Sequence, residues 1–264
     1  MDEKKKLFVI LTAILSLVSV GLNSAAFATD HWIKGRGNTS NGTRAGAVMS
    51  FGLFKGIMLI NYGVSDRDKV ITVTCDTSYC LLSYSKPGDG KDSWKLSEAV
   101  NQFQNQTSLD GKLVYSRSLE DYDFALFPTY FWALTIAFMA LGIAFSLVYI
   151  GFASFNVCAK PIETISGPLG LYMWNVIAIV FCLLAVIIYA VLYEQKYTKN
   201  VMSRSDKIQG FQSEVSLDYS FYLSVAAMIC HVINLYMLML SGVRFTFRDK
   251  DDIIKEDVTL SGMY

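Results

Sequence analysis

The stretch from residue 124 to 159, FALFPTYFWALTIAFMALGIAFSLVYIGFASFNVCA, contains no Asp, Glu, Lys or Arg. About 20 apolar residues in a helix cross a bilayer core, so this run is long enough to span a membrane with residues to spare. Three further stretches share the property: Leu7–Thr29, Thr164–Tyr193 and Tyr219–Val243. All 23 basic and 23 acidic side chains lie outside these four runs. A water-soluble domain of this length intersperses its charges. The segregation predicts a membrane all-α four-helix bundle with a small extracellular β-sheet in the first loop.

Read outward from those runs, the chain is one tetraspan unit, 1–264. The first span is 7–29, extracellular loop one 30–123, the second span 124–155 and a cytoplasmic turn 156–168. The third span is 169–193, extracellular loop two 194–218, the fourth span 219–243 and a cytoplasmic tail 244–264. Four spans put both termini on one side. The terminal side carries Lys4, Lys5, Lys6, Lys160, Arg244, Arg248, Lys250 and Lys255, against Lys196, Lys199, Arg204 and Lys207 in loop two. That bias predicts cytoplasmic termini in a multi-pass plasma-membrane protein. The acceptor sequons at Asn38, Asn41 and Asn105 all fall in the long loop, which places that loop on the glycosylated side. A second reading of the amino terminus stays open. Lys4-Lys5-Lys6, an apolar run and Ala26-Phe27-Ala28 also fit a cleaved secretory signal, although the 23-residue uncharged run favours retention.

Within loop one, Gly35–Gly46 is rich in Gly, Asn, Ser and Thr and reads as irregular and exposed. The β-branched run Val70–Cys75 reads as a strand, Asp76–Tyr79 as a turn and Cys80–Tyr84 as the return strand. Cys75 and Cys80 then face each other at the hairpin neck, where an oxidising compartment favours a disulfide. Ser93 is placed to cap a short helix over Trp94–Gln104. Loop two shows a weak helical pattern.

Formal net charge is zero, so no electrostatic footprint for nucleic acid exists. The spans hold no acidic or basic residue and only His231 as a titratable group near neutrality, which argues against ion-coupled carriers and voltage sensors. Asn23, Asn175, His231 and Asn234 are expected to hydrogen-bond between helices. Ala133, Ala137, Ala140, Gly142 and Ala144 allow close helix approach, first within the bundle and secondarily to a partner. Pro161, Gly167 and Pro168 end one helix and start the next. Cys158, just before that turn, is a candidate for S-acylation. No nucleophile–base pair, metal cluster or phosphate loop is apparent, so neither catalysis nor a metal or other cofactor is expected.

Trp32, Gly52-Leu53-Phe54, Cys75 and Cys80 resemble the long-loop signature of the claudin and peripheral-myelin-protein superfamily, which implies a claudin-like fold. Two departures count against tight-junction strands: Phe54 stands where the signature has Trp, and 20 residues separate Phe54 from Cys75. The chain is more similar to the clarin family. Lys160, Pro161, Glu163 and Thr164, followed by Gly167, Pro168, Leu169 and Gly170, resemble the clarin turn into the third span. Ser50–Gly56 resembles the clarin GLFxG element. That resemblance implies a non-enzymatic organiser of membrane domains in sensory-cell protrusions or synapses, linked to actin and, in vertebrates, to hearing and vision. The partners it implies are membrane lipid, other membrane proteins, cytoskeletal adaptors and further copies of the chain. Two alternatives remain open: an auxiliary subunit of an ion channel, and a claudin-like barrier protein between cells.

Overall fold

The computed structural model of the chain describes residues 3–39, 46–61, 65–85, 125–158, 168–198, 201 and 211–240. Four helices dominate it: α1 (Glu3–Ala28), α2 (Thr129–Cys158), α3 (Pro168–Leu192) and α4 (Tyr219–Leu240). Each is long and apolar enough to cross a membrane. Each helix packs on the one before it, and α1 also packs on α4, closing a ring of antiparallel neighbours. Their buried positions follow one rule. They fall at 9, 12, 16, 19, 23 and 26 in α1, and at 135, 139, 142, 146, 149, 153 and 156 in α2. In α3 the same steps run through 171, 175, 178, 182, 185, 189 and 192, with Gly170 and Tyr172 buried beside the first, and in α4 through 220, 224, 227, 231, 234 and 238, with Phe221 buried beside the first. Alternating steps of three and four are the seam spacing of a four-helix bundle with knobs-into-holes packing.

The expected sheet is present and larger than loop one alone provides. It has seven strands, all antiparallel, in the order β6-β5-β4-β3-β2-β1-β7. Strands β1 (Ile33–Thr39), β2 (Gly46–Phe51), β3 (Lys55–Asn61), β4 (Asp66–Cys75) and β5 (Tyr79–Ser85) form a meander. Strand β6 (Ala125–Pro128) adds to one edge and β7 (Phe211–Leu217) to the other. The sheet curls over the end of the bundle at which α1 and α3 finish and α2 and α4 begin, so both loops lie on one side.

Three readings of the sequence change. Gly35–Thr39 is strand, not irregular loop. It lies between β2 and β7, so its backbone ladder is satisfied on both sides and outweighs the poor strand propensity of Gly and Asn. Loop two contributes β7 and a π-helical turn, Tyr193–Tyr197, that prolongs α3; its strand registers only against a neighbour distant in sequence, which a local helical pattern does not reveal. The uncharged run beginning at residue 124 is divided, with β6 before α2. Pro128 ends β6 on the outer edge of the sheet, where its missing N–H forfeits no ladder bond. The helix expected over Trp94–Gln104 lies outside the described residues.

Candidate functional site

Two sets of residues tie the sheet to the bundle. The first is the turn Phe51-Gly52-Leu53-Phe54-Lys55-Gly56 between β2 and β3. Phe51 and Leu53 are buried, Phe51 with its ring 5.3 Å from that of Tyr197. Phe54 stays partly exposed at the rim, 5.5 Å from Phe27 of α1 and 6.0 Å from Trp132 of α2, ring centre to ring centre. Trp132 Nε1 donates to Leu53 O at 2.7 Å. A side chain at Gly52 would strike the backbone of Thr29 and Asp30, and one at Gly56 the backbone of Ser50 and Phe51. Trp32 completes the seat. Its indole is buried against Tyr189 and Phe221, and its Nε1 donates to Ala26 O at 2.7 Å. The signature residues Trp32, Gly52, Leu53 and Phe54 therefore form one anchor where the sheet meets the helix bundle.

The second set is the β4–β5 hairpin. Cys75 and Cys80 pair across its neck and are joined by a disulfide. The neck rests on the start of α2, where Thr129 N donates to Ser78 O at 3.2 Å and Thr129 Oγ1 to Asp76 O at 2.7 Å. On the other side, Tyr84 donates its hydroxyl proton to Val201 O, tying β5 to loop two, and within loop two Tyr193 donates to Val215 O at 2.8 Å. Phe127, Tyr189 and Tyr197 fill the space beneath.

The outer face carries a different chemistry. Val48, Ile57 and Leu59 are each half exposed or more, with Val48 opposite Leu59 on neighbouring strands. Arg36 opposes Val48, Lys55 opposes Thr72 and Asp68 opposes Leu59, giving the apolar strip a charged surround.

Below the anchor, the helix seam is polar. Asn23 Nδ2 lies 3.4 Å from Cys182 Sγ, and Ser224 Oγ lies 3.3 Å from Asn23 Oδ1. Ser19 donates to Ala227 O at 2.9 Å, and Asn234 Nδ2 to Ser16 Oγ at 3.2 Å. At mid-depth, Asn175 Nδ2 donates to His231 O at 2.9 Å, which turns Asn175 Oδ1 toward His231 Nδ1, also 2.9 Å away. The uncharged ring that fits carries its proton on Nδ1. Its Nε2 lies 2.8 Å from Ser146 Oγ, whose single hydroxyl proton is shared between the ring and Gly142 O at 2.7 Å. Asn23, Asn175, His231 and Asn234 thus form the interhelical bonds their sequence positions imply. The serines were missed: Ser16, Ser19, Ser146 and Ser224 sit at the same three-and-four spacing, which was the available signal.

The small-residue set of the second span splits. Only Gly142 faces inward, with its Cα side close to Cys182 of α3. Ala133, Ala137, Ala140 and Ala144 are on the outward face, because the seam positions lie beside them and not among them. This corrects the expectation that the alanines serve the bundle.

Of the remaining sequence-derived sites, Asn38 lies near the end of β1, with backbone partners on both sides, and Cys158 is the exposed last residue of α2. Pro168, Leu169 and Gly170 open α3. Asn41, Asn105, Lys160, Pro161, Glu163, Thr164 and Gly167 lie outside the described residues. Among the described residues, no group of three or more His, Cys, Asp or Glu side chains could hold a metal ion.

A family model described as Clarin-2-like matches residues 124–239, from the junction before β6 through most of α4. Human Clarin-1 is 24% identical over 203 residues, covering 73% of this chain and 84% of that protein. Mouse Clarin-3 is 22% identical over 248 residues, covering 90% of this chain and 88% of its own length. The family-model match covers the last three spans, and the Clarin-3 match runs over most of the chain. They establish a distant relationship to the clarin and claudin superfamily, a group of small multi-span membrane proteins.

Proposed function

We propose that the chain is a non-enzymatic organiser of plasma-membrane domains, with both termini in the cytoplasm and the seven-stranded sheet outside. The observation that carries this reading is the outward strip Val48–Leu59–Ile57, apolar side chains displayed on a sheet whose opposite face is fixed to the bundle. Exposed apolar surface with a charged surround suits contact with another protein. The distant likeness to clarins supports extending the role to sensory-cell protrusions or synapses, with the cytoplasmic turn and tail meeting cytoskeletal adaptors and with actin as the eventual attachment. The test is affinity capture from native membranes with wild-type protein and the Ile57→Asp, Leu59→Asp double variant. Loss of a reproducible set of membrane partners at unchanged surface level is the expected result; an unchanged set removes the sheet from the account.

A second reading has its own observation. Ala133, Ala137, Ala140 and Ala144 form a smooth outward stripe on α2, which suits a transmembrane helix of a channel subunit. Capture of a channel that is lost on Ala137→Leu and Ala140→Leu, with the sheet intact, favours this alternative.

A further inference from the structure

His31 sits where the first span, β1, β2 and the start of the fourth span converge. Its backbone carbonyl accepts from Ser220 N at 3.1 Å, and the neighbouring Trp32 O accepts from Asp218 N at 2.9 Å. The ring stacks on Tyr219 with centres 4.8 Å apart. One ring nitrogen, Nδ1, faces both Ser50 Oγ at 2.8 Å and Asp218 Oδ2 at 3.3 Å. Asp218 Oδ2 can only accept, and Ser50, which also directs its hydroxyl to Asp30 O at 3.0 Å, has an oxygen able to accept from the imidazole. Both neighbours of Nδ1 can therefore accept, and Nδ1 carries the hydrogen. That leaves Nε2 as the open basic position on a ring whose side chain is 45% exposed to water.

We propose that His31 is a proton-operated clasp between the two loops: a second proton, taken up at Nε2, charges the ring against Asp218 and tightens the hold of β1 on β7. The charged groups around it decide the sign. Asp218 lies between His31 on Oδ2 and Lys34 on Oδ1, the latter at 3.7 Å. Asp30, the residue before His31, is matched by Lys55 at 3.6 Å. Arg36 of β1 and Glu214 of β7 oppose each other farther along the same pair of strands. With the ring neutral, the two carboxylates and two ammonium groups nearest it balance, and the group in contact with Nδ1 is the carboxylate. Protonation thus adds attraction at contact distance against repulsion from Lys34 across the carboxylate. The added hold is present when the ring is charged and absent when it is neutral. Among the described residues β7 is the outer edge of the sheet and pairs with β1 alone, so the clasp governs how firmly that edge is held.

The test uses the full chain in lipid nanodiscs. The protein has only two histidines, so imidazole carbon and nitrogen resonances are assigned with one variant, His31→Phe, which keeps a ring on Tyr219. The Nδ1–H form of His31 is expected at pH 7.5; the Nε2–H form overturns the proposal. Hydrogen-exchange protection of the 211–217 amides, corrected for intrinsic rates, should rise about two- to fivefold from pH 7.5 to 5.5, the range for a partly exposed ion pair. His31→Phe and Asp218→Asn should each remove that rise, and Lys34→Met should enlarge it. If either of the first two variants fails to fold, the other decides, and a wild-type protection that does not change with pH overturns the clasp on its own.

Discussion

Ser146 Oγ and His231 Nε2 meet at 2.8 Å in the middle of the bundle, joining α2 to α4, while Asn175 holds the other side of the same ring. In a bilayer, helices gain little from the hydrophobic effect on meeting, so packing and such bonds decide their register. Each interhelical bond contributes about 0.6 kcal/mol on average and up to about 1.7 kcal/mol. A cycle of Ser146→Ala, His231→Leu and the double variant, followed by unfolding in detergent or nanodiscs, should give a coupling in that range. Strict additivity would remove the Ser146–His231 bond from the account of bundle stability.

The anchor turn predicts a contrast between two glycines. Gly56→Ala places a methyl group into the backbone of Ser50 and Phe51, whereas Gly46→Ala meets only Gly37 O at 3.7 Å. Gly56→Ala should be retained in the endoplasmic reticulum and Gly46→Ala should reach the surface near wild-type levels. Surface biotinylation reads both, and equal delivery contradicts the packing described at the turn.

The cystine hairpin predicts non-additivity. Cys75→Ser and Cys80→Ser should each lower surface delivery, and the double variant should be no worse than either alone, because losing one partner already breaks the bond. The single variants also leave a thiol free to mispair. Clearly additive losses would mean that the two cysteines act separately.

Glycosidase treatment should increase gel mobility, and changing Asn38, Asn41 and Asn105 together to Gln should abolish the shift. Wild-type protein from a glycosylating cell that shows no shift contradicts the assignment of loop one to the lumenal side.

Tags at either terminus should be reachable only after permeabilisation, and a tag beside Gly42 should be reachable on intact cells. Loss of an amino-terminal tag together with the first 28 residues would instead establish cleavage after Ala28.

The spans and the β4–β5 hairpin were legible because charge segregation and β-branched runs are local signals. Asn23, Asn175, His231 and Asn234 were legible as bundle residues because a polar side chain facing lipid is costly. The serines beside them were not, since Ser is common in spans and only its spacing marks a seam. Strand β1 was hidden by Gly35 and Gly37, whose inward positions leave room for neighbours such as Met49. Strand β7 was hidden more deeply: its partner is β1, and nothing within FQSEVSL itself names that partner. The direction of the Ala133–Ala144 stripe depended on which face of α2 meets α1 and α3, which composition does not disclose.

The place of β1 between β2 and β7 also dictates an order of biosynthesis. Strands β1 to β5 emerge together, but β7 follows only after two more spans have been synthesised. At translation rates of about 5–20 residues per second, one flank of β1 waits roughly ten to forty seconds for its mate. During that interval the nascent chain exposes an unpaired ribbon edge, open to chaperones or to a neighbouring polypeptide. Emergence of β7, just ahead of the fourth span, ends the exposure, so the sheet closes only when the last loop has been made.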